Sequence, residues 1–490
     1  MKIALLRKYS ITYLLLPNLL FSFGWFRQPY SFILFIGYCY LFYLELRKKN
    51  EGESLIRKDI LFLTLVASLW TFFCGVDGLS AQSGDWLAHN EKFYDLYKSE
   101  WPLYFSGIDR YACYYFGYYL IPSFLSKISG QLVPMIFVAW TFIGFLLGMS
   151  WIYILINKNK WLILVFLMMR GTGKLVVFIL GKLHIIQIDV PAFSPVIRSI
   201  FDQSTFVPNQ IIPALITCGV FAHDYFKRKA VDESFFVITL AFVWAIFPAM
   251  TLMLVYLTAL IYKYLIENSW KELSGKKFLT WYLLPGLLFI PTFTYFLSSQ
   301  TIAMQGFIWQ FGAVKVVAFN YFTGIAIDFV VFYILAMVLN KKEKYFPLWF
   351  IHVLFAGLVL LSIYRIGVFS DLFTRGSIPL YILMFIGILR GLDRSIRTAE
   401  WPESRLFYPA FILITGLFIN SLVAKSVLLR DNAAANLYLG QRSTYDKYAY
   451  DAFSDTYQTL LYGYKDREGA KQYLGAKTSV YKEYLSKKRM

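Results

Sequence analysis

Long apolar runs separated by short polar stretches fill the chain from about residue 10 to residue 428. A membrane span needs roughly 20 apolar residues, or about 17–25 when tilted. Ser10–Phe26 and Tyr30–Leu46 meet that length and are joined only by Arg27-Gln28-Pro29, which predicts a tight hairpin. Asp59–Leu79 predicts a third span, followed by a polar, acidic and aromatic loop over residues 80–131. Within that loop the apolar stretch 112–127 is short and interrupted by Pro122, so it predicts a juxtamembrane or partly inserted helix, with a full crossing as the alternative. Further spans are predicted at Leu132–Ile156, Trp161–Leu180, Ile211–Phe226, Phe278–Leu297, Ala318–Leu339, Phe346–Tyr364, Ser377–Leu392 and Leu406–Leu428. Ser234–Lys263 is too long for one span, and Pro248 splits it into two short ones. The reading is an all-α polytopic bundle of about 13 spans, each near the length that hydrocarbon demands. It divides the chain into a membrane domain, 1–429, and a polar, Tyr-rich tail, 430–490, in which Tyr445–Leu461 can form a helix against the outer face.

Charge orients this bundle. Basic residues cluster in the short connections, at Lys2, Arg7 and Lys8, at Arg47–Lys58, at Lys158 and Lys160, at Lys227-Arg228-Lys229, at Lys271–Lys277, at Lys341–Lys344 and at Arg390–Arg397. With the juxtamembrane reading every one of these clusters is cytoplasmic, as positively charged loops should be, and the N-terminus is inside and the C-terminus outside. The first run carries no small-residue cleavage site, so it predicts a retained anchor. Composition agrees: 58 % of residues are hydrophobic and 16 % charged, against roughly 45–50 % and about 25 % in soluble domains. The net charge of +18 lies in loops between apolar runs and does not predict nucleic-acid binding. The partner it predicts is the lipid bilayer. Cys39, Cys74, Cys113 and Cys218 have no metal-ligand or disulfide-framework spacing.

The loop SGDWLAHNEKFYDLYKSEWP, residues 83–102, carries the most chemistry. Asp85 and His89 are helix neighbours at i,i+4, with Asn90 adjacent, Trp86 between them and Asp95 further on. A carboxylate at the membrane surface beside an imidazole or amide can serve as a general base for a hydroxyl or amine; the plain alternative is a solvated loop over an aromatic surface helix. In Ser370–Pro379, Asp371 and Arg375 lie four apart, with Arg365 just before. Arginine suits a phosphate because its fork makes two parallel charge-assisted bonds; alternatively Arg375 and Asp371 pair with each other to seat a helix end. Lys174, Lys182, Arg198 and Lys315 are outer cations that break the charge rule, as donor-phosphate contacts would.

Asn209 and Gln210 begin a span; they can bind sugar hydroxyls, although capping after Pro208 is the preferred reading. Asp328 inside an apolar span needs a cavity or a partner. Arg170-Gly171-Thr172-Gly173-Lys174 lacks the spacing of a phosphate-binding loop, and His352 alone within a span reads as a helix–helix hydrogen bond. A divalent cation at the Asp85 carboxylates stays open, because hard cations favour oxygen ligands, but no tight ligand set specifies one.

Asp85-Trp86, His89-Asn90, Asp95-Leu96, Trp101-Pro102, Tyr114-Tyr115 and Tyr118-Tyr119, followed by TFVPNQ (205–210) and SDLFTRGSIP (370–379), form an ordered set. In this set and in its layout the chain resembles bacterial members of the GT-C superfamily of membrane glycosyltransferases, and more closely a group of bacterial multi-pass proteins with a DWxxHN…DL…WP outer loop. The resemblance covers most of the chain in layout and three stretches in residues. It implies a transferase that moves a sugar from a polyprenyl-phosphate donor, with inversion, at the outer face of the bacterial cytoplasmic membrane. Asp85 then takes the base role, His89 and Asn90 orient it or the acceptor, and Arg365 and Arg375 hold the phosphate. A second acidic residue from the next outer loop is Asp189 or Asp202. Two other classes compete: a transporter or flippase of a lipid-linked glycan, and a surface-polysaccharide polymerase.

Overall fold

The computed structural model describes residues 1–48, 53–80, 82–173, 195–300, 304–367, 369–398, 448–464 and 467–487. The chain is mostly helical, with two short two-stranded pairings among the described residues. Among the described residues five helices are long and apolar enough to cross a membrane: Pro134–Leu155, Ile246–Ile266, Gly275–Leu297, Val314–Lys341 and Asp371–Arg397. Tyr30–Leu46 and Leu348–Ile363 are shorter apolar helices. The predicted span Leu406–Leu428, and Trp161–Leu180 beyond residue 173, lie outside the described residues. The chain forms two compact units, one of residues 1–150, 206–304 and 447–490, the other of 151–205 and 305–446.

In the first unit, α1 (Ile3–Trp25), α2 (Tyr30–Leu46), α3 (Arg57–Phe73), α4 (Asp85–Lys98), α5 (Gly117–Ser129) and α6 (Pro134–Leu155) follow in order. α1 is 23 residues long, about 34 Å at the α-helical rise, and different connections gather at its two ends. At its start, Ile3 donates to Glu53 (3.2 Å) and Leu55 to Met1 (2.8 Å). At its finish, Tyr481 and Lys487 both donate to the Trp25 carbonyl, each at 3.0 Å. The connections predicted to be cytoplasmic and those predicted to be outside are thus separated along one helix.

The basic end is held by ions. Arg7 binds both oxygens of Asp224 at 2.7 Å and Glu45 at 2.9 Å. Lys48 bridges Glu45 (2.6 Å) and Glu233 (2.8 Å), and Arg228 bridges Asp224 (2.8 Å) and Glu233 (2.7 Å). Three cations and three carboxylates therefore satisfy one another, which buried charges require. Asp232 gathers Lys263 (2.9 Å) and Lys277 (2.6 Å) at the same end. Burial alone would raise its carboxyl, but side-chain bonds from Lys277, Tyr264, Tyr282 and Lys263 hold it well below the usual carboxylate range.

Because Asp232 meets Lys263, the segment between them leaves and returns to one end, as the two-short-spans reading expects. Its form differs. A seven-residue helix, Ser234–Leu240, turns over Ala241–Ala245 into Ile246–Ile261, so the break precedes Pro248 instead of falling at it. Pro248 can sit in the first turn of the second helix, where its missing N–H is not needed. Backbone freed at such a break must be bonded within the protein. Asn18 of α1 donates to the Leu240 carbonyl (2.9 Å), Trp244 returns its indole N–H to Leu14 (3.1 Å), and Gly117 donates to Val243 (2.8 Å). A Cβ on Gly117 would lie 2.9 Å from the Trp244 ring and 3.0 Å from the Val243 oxygen, so only glycine lets α5 approach this carbonyl.

α5 is short for a membrane crossing. It has 13 residues, about 20 Å against a hydrocarbon thickness of about 30 Å. Phe93, before α5, packs 4.8 Å from Phe137, after it.

In the second unit, Asp328 occupies a wide π turn at Ile325–Val330 inside the long apolar helix. Its carboxylate accepts N–H bonds from Gly173 (2.6 Å) and Ile197 (2.9 Å). A Cβ on Gly171 would lie 2.1 Å from the Asp328 oxygen. The glycine-rich Arg170–Gly173 stretch is therefore the seat of a buried carboxylate. Asp393 accepts from Asn157 (2.9 Å), Asn159 (2.8 Å) and Arg397 (3.0 Å), while Arg390 pairs with Glu343 (2.7 Å). The basic connections of this unit thus also share an end. His352 bonds Tyr333 of the neighbouring helix at 2.9 Å, the role expected of it.

Replacing Arg7 with Ala leaves Glu45 and Asp224 short of a buried counter-charge. The variant should lose roughly 3–5 kcal/mol, read as a lower melting temperature of the purified protein in detergent; an unchanged melt contradicts the role of the ion network.

Candidate functional site

α4 is the polar helix of the first loop predicted to lie outside. Asp85 stands in its first turn and Lys98 in its last, each matching the sign the helix dipole favours. Its burial is two-sided. Trp86, His89, Asn90, Phe93 and Leu96 recur at helical spacing and are buried, while Glu91, Lys92 and Asp95 are buried on a second face. The aromatic face packs on α5 and α6: Trp86 is fully buried with its ring 5.1 Å from His89 and 6.3 Å from Phe137. Trp86 is therefore part of the core of this loop.

The C-terminal tail covers the second face. The Tyr448 carbonyl accepts from Asn90 (2.7 Å), and Tyr448 N–H donates to Gln82 (2.8 Å). Phe453 N–H donates to Glu91 (3.1 Å), and the Thr456 N–H and hydroxyl both donate to Asp95, each at 2.6 Å. Tyr450 reaches Asp77 at 2.8 Å. The helix expected over Tyr445–Leu461 forms at Thr456–Tyr464 and packs against α4, because Asp95 offers its carboxylate to the first N–H of that helix. Lys92 is buried with its ammonium 4.4 Å above the Tyr114 ring. Trp101 donates to the Leu96 carbonyl (2.9 Å) and packs 5.6 Å from Trp25, so the Asp-Leu and Trp-Pro pairs serve to close this layer.

Asp85 is exposed, one turn before His89. His89 Nε2 lies 2.8 Å from the Phe206 carbonyl, and Nδ1 bonds the Tyr119 hydroxyl. A carbonyl only accepts, so Nε2 carries the proton and Nδ1 accepts from Tyr119. Both ring nitrogens are committed, which fixes the imidazole and suits it to orienting its neighbours. The contact also brings the TFVPNQ segment onto α4 and α5. Gln210 Nε2 donates to Tyr115 at 2.9 Å.

Asn209 and Gln210 do not cap their helix. Val207 is the N-cap residue and makes no side-chain cap bond, Pro208 takes the first helical position, and the two amides fall inside the first turn. Both are fully buried, and both amide atoms of Asn209 and the Gln210 Oε1 have no hydrogen-bond partner among the described residues. Buried polar atoms left without a protein partner mark a place for water or a polar ligand.

The arginine candidates lie in the second unit. Arg375 pairs with Asp371 at 2.7 Å at the start of a long helix. Arg365 donates to the Gly367 carbonyl (3.1 Å) and lies 5.0 Å over the Phe311 ring. Arg198 and Lys315 are exposed and Asp202 lies 3.9 Å from Arg170, while Lys174, Lys182 and Asp189 lie outside the described residues. Among the described residues no group of three His, Cys, Asp or Glu side chains could hold a metal ion. The sequence reading gives Glu91 no role of its own and does not anticipate which residues of α4 hold the tail. Their signal was faint: an acidic residue between Asn90 and Asp95, and hydroxyl and aromatic residues in a polar tail.

Burial pushes the Glu91 carboxyl up to about 8 against the bond from Phe453 N–H, with repulsion from Asp95, Asp451 and Asp455 adding to the rise. Burial likewise raises Asp95 to about 6, despite the two bonds from Thr456. A carboxyl whose docked pKa exceeds its free value of about 4.3 favours docking when protonated. That advantage is complete below the free value and is lost as pH rises toward 8. Amide exchange over residues 448–464, corrected for intrinsic rate, should therefore be faster at pH 9 than at pH 6, and Glu91→Gln should flatten the difference. A pH-independent wild-type exchange contradicts the assignment.

Comparison with known proteins finds no family model that matches the chain, no matching curated protein and no matching solved structure.

Proposed function

We propose that this chain is a GT-C-like membrane glycosyltransferase of about 13 spans, working at the outer face of a bacterial cytoplasmic membrane with the short helical number and length that hydrocarbon imposes. It moves a sugar from a polyprenyl-phosphate donor to a hydroxyl or amine in envelope glycan or glycolipid assembly. The observation that carries the reading is the buried amide pair Asn209 and Gln210, whose unpartnered atoms adjoin the segment that holds His89. Sugar hydroxyls both donate and accept, and so meet an amide oxygen and an amide N–H equally well. Asp85, exposed one turn from the fixed His89, is the general base that takes the acceptor proton. Arg365 and Arg375 are the cations for the donor phosphate, with the guanidinium geometry that phosphate oxygens need. A divalent cation beside Asp85 would add Lewis acidity without changing these roles.

One observation favours a second reading, a transporter or flippase of a lipid-linked glycan. The interrupted hairpin at Ala241–Ala245 is the kind of broken membrane helix that transporters use at their binding sites. In the present fold its Leu240 and Val243 carbonyls accept from Asn18 and Gly117, and the Trp244 indole N–H ties the turn to the Leu14 carbonyl, which suits a fixed scaffold better than a moving gate.

The transferase reading expects Asp85→Asn to lower sugar transfer in proteoliposomes by roughly 100-fold or more, with the melting temperature unchanged because the side chain is exposed. Asn209→Ala should act mainly through a higher KM for the sugar substrate. Full-rate transfer by Asp85→Asn ends the base assignment.

A further inference from the structure

α1, α3 and α6 leave between them a cavity of about 370 Å3, within the range of about 300–1,000 Å3 usual for small-molecule sites. Its walls are Tyr9, Leu16, Ile60, Trp140, Ile143 and Leu147, and it opens sideways, with Tyr9 52 % and Ile143 42 % exposed. Three hydroxyl residues also line it, but their donors are spent. Thr12 donates to the Lys8 carbonyl (2.8 Å), Tyr13 to Trp140 (2.9 Å) and Ser150 to Leu146 (2.7 Å). What remains on offer is hydrocarbon surface, so the occupant contributes a hydrocarbon chain.

The mouth of the groove decides which chain-bearing molecule fits. Met1 and Ile60 mark its basic end, and Lys2, Lys8, Arg57 and Lys58 lie beside these lining residues in the sequence. The carboxylates at this end are already committed. Glu45, Asp224 and Glu233 neutralise Arg7, Lys48 and Arg228; Glu53 pairs with Lys227 at 3.0 Å; Asp232 takes Lys263 and Lys277. Asp59 accepts the Ile56 N–H at 3.1 Å, and the terminal ammonium donates to the Leu55 carbonyl at 2.5 Å. Among the described residues Lys2, Lys8, Arg57 and Lys58 form no ion pair. An apolar slot beside which four cations, adjacent to its lining residues in the sequence, form no ion pair among the described residues is complementary to an anionic amphiphile whose head lies at the level of those cations.

We infer that this groove is a binding site for an anionic phospholipid, with one acyl chain in the cavity and the phosphate on Arg57 and Lys58, flanked by Lys2 and Lys8. Neutral lipids share the chain and not the net charge, so preference resides in the head. The site stands independently of the transferase reading, since it uses none of the outer-loop residues and lies at the other end of α1.

The test uses the full chain reconstituted in nanodiscs of equimolar phosphatidylglycerol and phosphatidylcholine, released into mild detergent, with retained lipid counted by native mass spectrometry. One phosphatidylglycerol per chain should persist in roughly 30-fold preference over phosphatidylcholine, from about 1 kcal/mol for each of Arg57 and Lys58 near the surface. Arg57→Ala with Lys58→Ala should abolish that preference. Ile143→Trp, which fills the slot, should lower retention of both lipids. Equal wild-type retention of the two lipids, or a preference that survives the double substitution, overturns the site; retention untouched by Ile143→Trp overturns its seat in the groove. Should Ile143→Trp fail to fold, the double variant, at two exposed positions, decides alone.

Discussion

The buried guanidinium of Arg7 is the contact on which the first unit depends. It faces Glu45 of α2 and Asp224 beyond the helix Pro208–Ala222, so one side chain fixes the relative height of three helices. A charge in such a place is costly unless every partner is present, and the partners are themselves held by Lys48, Arg228 and Ser234. Helices anchored there can tolerate a break farther along. Asn18, three turns beyond Arg7 on α1, supplies the amide that satisfies the Leu240 carbonyl at the turn of the broken hairpin. The same rule, that no backbone group goes unpaired in hydrocarbon, explains why Asp328 of the second unit sits against the N–H groups of Gly173 and Ile197.

At the other end of α1 the organising element is the tail. It crosses from Asn90, Glu91 and Asp95 on α4 to Cys113, Ser298 and Trp25, donating or accepting backbone bonds at each. A helix as polar as α4 could not otherwise bury Glu91 and Lys92. Among the described residues Asp85, in the first turn of α4, is exposed, while Glu91, Lys92 and Asp95 are buried beneath the tail.

Much of this was legible in the sequence. α2 has the predicted limits, Tyr30–Leu46, because apolar length and the Pro29 turn leave little freedom. The gathering of basic connections at one end of each unit follows from the charge pattern, and the short apolar run around Pro122 matches the 13 residues of α5. Other features depend on partners distant in the chain. Asn209 and Gln210 look like caps locally, yet Pro208 displaces them into the helix and burial leaves their amides facing inward. Glu91 and Thr456 read as ordinary polar residues until α4 and the tail come together. The Arg170–Gly173 stretch acquires its meaning only from Asp328, 155 residues after Gly173.

The account turns on the breaking of a bond to a lipid carrier. The most direct measurement follows a radiolabelled sugar on polyprenyl phosphate in proteoliposomes containing the wild-type chain and glycolipid acceptors. The account predicts that label leaves the prenyl lipid and appears on acceptor, dependent on protein and on acceptor. Label that stays joined to the prenyl carrier, whether or not it crosses to the other leaflet, would contradict a transferase and return the fold to the transporter reading.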